Sequence, residues 1–378
     1  MKSNIQSKTS EEDARHLVSD AQFPVACNQS FTSSRKLSEP VNKPSEAFSI
    51  SVIIPVHRGG EKFLQCLTSV IAANPGPDEI IVVFDGKSDT QLPLYQHENI
   101  TIIHSPERRG PAHARNLGAK HAQGNILFFL DADVTIPHDA ITTIKALFRN
   151  DPALTAVIGG YDDAPAEKNF LSQYRNLLHH YVHQTSDENA STFWGACGII
   201  RKNVFLEMHG FNASMYDQPA IEDIELGYRL KNAGHKIRLC KDLQIKHLKH
   251  WNTLTLLKTD FFHRALPWTR LILQHGKLLN DLNTDTKNRF SVTLTFCLLL
   301  LLIFSFIQPY LMALISPVAA ALFLINADLY RFFFRKRGFW FTMGVIPWHW
   351  LFFFYSGLAF GIGVIHHYIR KFLFNRFT

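Results

Sequence analysis

Ile126-Leu-Phe-Phe-Leu-Asp131-Ala-Asp133-Val134 decides how this chain is read. Five large apolar residues in a row fit a strand buried on both faces, as in parallel sheets. Two acids cannot continue such a core, because unpaired buried charge is costly. They belong where the strand emerges, and in open α/β sheets ligands bind at the carboxyl ends of the strands. Two carboxylates flanking one alanine suit a hard divalent cation that carries phosphate oxygens. A turn or helix cap also uses aspartate, so the motif alone leaves both readings open.

Upstream, residues 49–56 form a β-branched run ending at Pro55, a first buried strand. Phe63, Leu64, Leu67, Val70 and Ile71 lie on one helical face within 61–73. Residues 79–84 predict a second strand closed by Asp85-Gly86, and 100–104 a third. Helices are expected at 111–122 and, after the quoted stretch, at 137–148. This alternation predicts a mostly parallel, doubly wound α/β sheet with flanking helices.

The middle is less regular. A strand at 156–160, a helix at 170–183, and short strands at 237–240 and 243–247 are expected. Trp194-Gly-Ala-Cys-Gly198 is either a loop that lets backbone approach a ligand or a tight turn. A helix over 221–232 opens with Glu222, Asp223 and Glu225, acids that also complement a helix dipole.

Charge and hydropathy divide the chain. From Lys258 onward thirteen Lys/Arg face four Asp/Glu, while the whole chain is +7, so the basic excess lies in the apolar third. That pairing points to a membrane surface and not to nucleic acid. Apolar runs at 291–307, 310–327 and 339–368 predict about three spans. The basic stretch at 331–337 lies inside by the positive-inside rule, which puts the residue-1 end and the α/β part inside as well. The tail residues Arg370, Lys371 and Arg376 conflict with three full spans, so 339–368 is read alternatively as interfacial or as a re-entrant hairpin. The segment 250–274, with Lys258, His263, Arg264, Arg270 and Pro267-Trp268, is amphipathic and basic and reads as interfacial. Residues 1–47 are polar without an apolar leader and are expected to be disordered. Five scattered cysteines with no C-x-x-C pair suggest neither zinc nor a disulfide framework. The expected organisation is therefore 1–47, a catalytic domain at 48–250, an interfacial segment at 251–290 and a membrane region at 291–378.

The order of motifs resembles the family 2 glycosyltransferases. Ser51-Val-Ile-Ile-Pro55-Val, Glu79-Ile-Ile-Val-Val-Phe-Asp85-Gly86, Arg109-Gly-Pro-Ala-His-Ala-Arg115-Asn116-Leu-Gly118, Leu130-Asp131-Ala-Asp133 and Ile221-Glu222-Asp223-Ile-Glu225 follow one another at the spacing of that family. The resemblance implies the nucleotide-diphospho-sugar transferase fold called GT-A. It implies nucleotide-sugar contacts from Pro55, Asp85, Arg115, Asp131, Trp194 and Gly195. It implies a divalent metal, Mg2+ or Mn2+, on Asp131 and Asp133 with His247 as a further ligand. It makes Glu222 and Asp223 the catalytic acid pair, with Asp223 the favoured base, and a direct in-line attack would invert the anomeric centre. The expected partners are a nucleotide sugar, a lipid, lipid-linked or glycan acceptor, and membrane lipids. The expected place is a bacterial inner or plasma membrane. Two departures stand out. The family's frequent Asp-Asp-Gly reads Phe84-Asp85-Gly86, and the Gln-x-x-Arg-Trp signature of processive synthases is absent. Its region holds His263-Arg264-Ala-Leu-Pro267-Trp268, an expected contact to acceptor or lipid head groups. Single-sugar transfer is the leading expectation. A processive synthase and a non-catalytic nucleotide-binding membrane protein remain as alternatives.

Overall fold

In the computed structural model, Ile126–Leu130 is a strand with every side chain buried. The structure describes residues 48–86, 98–276 and 285–374; the polar segment 1–47, expected to be disordered, lies outside them. Each buried Ile, Leu or Phe of that strand contributes ~1.5–3 kcal/mol by leaving water.

In chain order the strands are β1 Ile50–Val56, β2 Glu79–Asp85, β3 Ile100–Ser105, β4 Ile126–Leu130, β5 Val134–Thr135, β6 Leu154–Tyr161, β7 Asn189–Ala190, β8 Cys197–Arg201 and β9 Lys236–His247. The helices of this part are α1 Glu61–Ile71, α2 Pro111–His121, α3 Ala140–Asn150, α4 Phe170–Thr185, α5 Lys202–Glu207 and α6 Glu222–Asn232. The strands join in one sheet of order β3-β2-β1-β4-β8-β6-β9-β5, with β7 on β9. From β3 to β4 all pairing is parallel. The other half is mixed, because β8 runs antiparallel to both β4 and β6. One face is covered by α1 and α3 through Phe63, Leu67, Ile144 and Phe148. The opposite face carries α2, α5 and α6 through Ala112, Ala119, Phe205 and Leu226. This three-layer arrangement is the expected α/β class, and Pro55, Asp85 and Asp131 stand at or just past the carboxyl ends of β1, β2 and β4.

The two short strands expected at 237–240 and 243–247 are halves of the single strand β9. Its register against β6 jumps from Ile158↔Leu239 to Gly160↔Gln244, so a bulge separates the halves without ending the strand.

Beyond the sheet, Thr253–Lys258 (α7) and Leu266–His275 (α8) are joined by a π-helical segment, Thr259–Ala265. Then come α9 Thr286–Phe304, α10 Met312–Ile325, α11 Ala327–Arg337 and α12 Phe339–Phe374. Among the described residues two helices are long and apolar enough to cross a membrane, Thr286–Phe304 and Phe339–Phe372. The stretch expected as the middle span bends by 64° between Pro309–Ile325 and Ala327–Arg337, and adds a third span only if that pair is one broken crossing. The 14 residues of α10 reach ~21 Å, short of the ~30 Å hydrocarbon core. The re-entrant hairpin considered for 339–368 is not what forms. α12 is one helix of 36 residues that carries Pro347 within it. The basic helix α11 packs on the α/β part: Lys336 pairs with Asp163, and Arg337 Nε donates to Gln173 Oε1 at 2.7 Å.

Candidate active site

Arg115 on α2 is the centre of the site. Its Nη2 donates to Asp131 Oδ1 at 2.7 Å and its Nη1 to Glu222 Oε1 at 2.9 Å. Burial works against the guanidinium charge, but Asp131, Glu222 and Asp223 together hold it above the ordinary arginine value. One side chain thus ties the first acid after β4 to the acid pair opening α6. Glu222 is fully engaged, with its side chain 5% exposed and its Oε2 accepting from the Ala220 N–H at 3.0 Å.

Asp223 has a different environment. Its Oδ2 accepts from the Gly195 N–H at 2.9 Å and its Oδ1 from the Ile224 N–H at 2.8 Å. Burial and the neighbouring Glu222 carboxylate outweigh those bonds and raise its pKa to about 6. A carboxylate in that range suits a general base at neutral pH. Gly195 has little freedom to change: a Cβ there would sit 3.0 Å from Arg115 Cζ.

Asp131 and Asp133 stand at the mouth of the sheet with side chains 35% and 31% exposed. Asp131 is oriented by Arg115, whereas no hydrogen bond reaches the Asp133 carboxylate among the described residues. Its neighbour is His247, whose Nε2 lies 3.9 Å from Asp133 Oδ2. Topology places that histidine: β5 pairs with β9 so that His247 faces Val134, one residue beyond Asp133. Burial and then Lys249 depress the His247 pKa to about 3, leaving a neutral imidazole. Among the described residues no group of three His, Cys, Asp or Glu side chains forms a metal cage.

Pro55 is half-buried at the end of β1, opposite Val83 of β2. Asp85 is buried, and its two oxygens accept the N–H groups of Arg109 and Gly110 at 2.8 Å each. It therefore anchors the loop entering α2. Gly110 has φ +86°, and a Cβ there would come within 2.3 Å of the Asp217 carbonyl oxygen.

The wall of the site surrounds Trp194 with Tyr161, His179 and His183, which the sequence did not single out. Tyr161, at the end of β6, stacks on His247 with ring centroids 4.2 Å apart. Trp194 meets Tyr161 edge-on at 4.9 Å and packs against His179 at 4.7 Å and His183 at 5.2 Å. Burial keeps His179 well below, and His183 at about 4, compared with an ordinary imidazole. For His179 and His183 the sequence offered only the predicted helix 170–183, whose histidines read equally as a plain helix face, and for Tyr161 it offered only a strand end.

Residues 51–208 match the family described as Glycosyl transferase family 2. The poly-beta-1,6-N-acetyl-D-glucosamine synthase of Staphylococcus aureus (strain COL) is 26% identical over 206 residues, 51% of this chain and 48% of that protein. Glycosyltransferase GlyG of Streptococcus pneumoniae is 24% identical over 251 residues, 61% of this chain and 80% of that protein. The chain thus spans about half the length of the synthase it matches. Among solved structures it is similar to the mannosyltransferase PcManGT from Pyrobaculum calidifontis in complex with GDP-Man and Mn2+. That likeness has 17% identity and a TM-score of 0.49, over 84% of this chain and 90% of that one. It is also similar to S. aureus TarS 1-349 in complex with UDP-GlcNAc, with 18% identity and a TM-score of 0.45, over 62% of this chain and 67% of that one. What these likenesses define is a class: residues 51–208 match the Glycosyl transferase family 2 model and lie on a mixed α/β sheet with helices on both faces. The matched span ends at residue 208, before the acid pair, so Glu222 and Asp223 join the site through Arg115 and Gly195.

Proposed function

We propose that this chain is a membrane-anchored inverting glycosyltransferase. It transfers a sugar from a nucleotide sugar, in the first instance a UDP-sugar, to an acceptor hydroxyl at the cytoplasmic face of a membrane. The observation that carries the reading is the Arg115 bridge. It holds the phosphate-side acid Asp131 and the acceptor-side acid Glu222 in one unit, with Asp223 beside them at a pKa of about 6.

The acceptor oxygen attacks the anomeric carbon as its proton passes to the Asp223 carboxylate. The new carbon–oxygen bond forms as the bond to the diphosphate breaks, and the electron pair leaves with the nucleoside diphosphate. Attack from the acid-pair side, opposite the leaving group, inverts the centre. The Gly195 N–H orients Asp223 for this step, and Trp194 beside it forms a flat apolar wall for the sugar. Pro55 and Asp85 frame the nucleotide end, Asp85 by fixing the loop that delivers Arg115.

A divalent ion fits the donors present. Asp133 offers a carboxylate oxygen free of hydrogen bonds among the described residues, beside the neutral imidazole of His247, and Asp131 offers its second oxygen. When bound, Mg2+ or Mn2+ acts as a Lewis acid that draws charge from the departing diphosphate. Few protein ligands suit such an ion, which takes its remaining ligands from substrate phosphates and water. The docking of basic α11 on the catalytic part supports a shared cytoplasmic side.

The test is nucleoside diphosphate release and product formation across a donor panel, with and without Mn2+ or Mg2+, in membranes containing the full chain. Absence of turnover with every donor would leave only nucleotide binding. The printed name of the S. aureus relative favours a second reading, a processive synthase. A ladder of products from one acceptor would establish it; a single added sugar supports the first.

A further inference from the structure

A cavity of about 700 Å3 lies between the α7–α8 helical segment and the two candidate spans α9 and α12. That volume is in the range of a small-molecule site, ~300–1,000 Å3. Its long wall is apolar, made by Val292, Phe296 and Leu300 of α9 and by Phe352, Phe353 and Phe360 of α12. One end is charged. There Asp260 Oδ1 forms an ion pair with Arg175 Nη2 at 3.1 Å and accepts from Arg264 Nη1 at 3.3 Å, while its Oδ2 accepts from the Tyr355 hydroxyl at 2.8 Å. Two guanidiniums share one carboxylate, which leaves one positive charge in excess. Each guanidinium has five N–H donors, and the Asp260 contacts use only part of them. A further donor, Trp268 Nε1, lines the cavity buried and without a hydrogen-bond partner. Asp260 and Arg264 both sit on the π-helical segment, a distortion that recurs at functional sites. Arg175 lies one helical turn before His179 on α4, and the His179 ring packs against Tyr161 and Trp194, so the charged end of the cavity lies toward the wall of the candidate site.

We propose that this cavity is the acceptor site and that it takes a lipid whose headgroup carries both a phosphate and a hydroxyl. The acyl chain lies along α9 and α12, Arg264 and Arg175 hold the phosphate, Trp268 adds a donor, and the headgroup hydroxyl reaches toward Asp223. This rests on the glycosyltransferase reading for its last step only. The lipid site stands on the cavity, the excess guanidinium charge and the orphaned indole N–H.

Cys297 lines the cavity and is the exposed free cysteine among the described residues, where Cys66, Cys197 and Cys240 are buried. Its alkylation therefore reports occupancy. The full chain carrying Cys27→Ser is purified in detergent, and maleimide addition is followed by intact-mass spectrometry. Phosphatidylglycerol is expected to slow labelling about tenfold, the effect of one charge-assisted contact. Diacylglycerol, which lacks the phosphate, and glycerol phosphate, which lacks the chains, are expected to leave it unchanged. Arg264→Gln is expected to abolish the protection while the lipid-free labelling rate stays that of the parent; Asp260 keeps Arg175 and Tyr355, so the fold persists. Equal protection by diacylglycerol, protection by glycerol phosphate alone, or undiminished protection in Arg264→Gln would each overturn the proposal. Hydrolysis of nucleotide sugars by the same preparation, with no lipid added, reports separately on the enzyme reading.

Discussion

Asp223→Asn is expected to stabilise the fold at neutral pH while removing turnover. Burial and the adjacent Glu222 carboxylate raise the pKa of Asp223 from 3.8 to about 6 in the folded chain. A gap of ~2 pH units at ~1.4 kcal/mol each amounts to roughly 3 kcal/mol. The folded state binds the proton more tightly, so the raised pKa favours folding below the unfolded value of 3.8. That advantage is lost as pH rises and is gone above about 6. Relative to the protonated form, the ionised carboxylate therefore burdens the native state across the working range. Asparagine has no charge to desolvate, but it has a single acceptor oxygen. It cannot serve both the Gly195 and Ile224 N–H groups, which costs ~1 kcal/mol. The balance predicts a variant about 2 kcal/mol more stable than the parent at pH 8 and ~1 kcal/mol less stable near pH 4. Denaturant unfolding of the full chain in detergent, followed by tryptophan fluorescence across that range, measures the crossover. In parallel, kcat/KM of the parent is expected to rise about tenfold per pH unit up to about 6 and then level. The variant should lose roughly 10²–10⁴ in rate. A stability difference that does not change with pH, or a parent rate profile flat through pH 6, would refute the reasoning.

Arg115→Met strands the buried Glu222 carboxylate and is expected to cost ~3–5 kcal/mol of stability. Adding Glu222→Gln should recover part of that loss, and strictly additive costs in the double variant would remove the bridge from the account. Asp133→Ala is expected to lower transfer roughly a hundredfold and to raise the Mn2+ concentration needed, with little change in unfolding because its carboxylate makes no hydrogen bond among the described residues; unchanged metal titration would count against its role. Gly195→Ala puts a methyl 3.0 Å from the Arg115 guanidinium carbon and should cost ~1–3 kcal/mol with a fall in kcat, so parent-like kinetics would show that the loop gives way.

The parallel half of the fold was legible because β1, β2 and β4 are buried on both faces, which forces unbroken apolar runs bounded by Pro55, Asp85 and Asp131. Strand direction is not encoded in such runs. That is why β8, antiparallel between β4 and β6, was not foreseen. The acids of the site were readable for a similar reason, since charge after an apolar strand needs a purpose. Their wiring was not. Arg115 meets Glu222 across 107 residues, and no local pattern announces a pair so distant. Tyr161 and His179 were silent for the opposite reason, because an aromatic at a strand end and a histidine on a helix both have ordinary packing roles. In the membrane part, hydropathy found the apolar residues but not their continuity. Pro347 suggests a break, yet the helix runs through it.

The length of α12 has a mechanical consequence. At 36 residues it reaches ~54 Å, well beyond a ~30 Å hydrocarbon core. Its first turns lie in a shared aromatic cluster, where Val345 and Phe341 meet Tyr174 and Phe333 of α4 and α11. The α/β body is therefore mounted on a rigid post and does not hang from a flexible tether. If α12 crosses a bilayer, as proposed, the tilt of that post sets the height of the candidate site above the lipid, and bilayer thickness becomes a gauge of access to it.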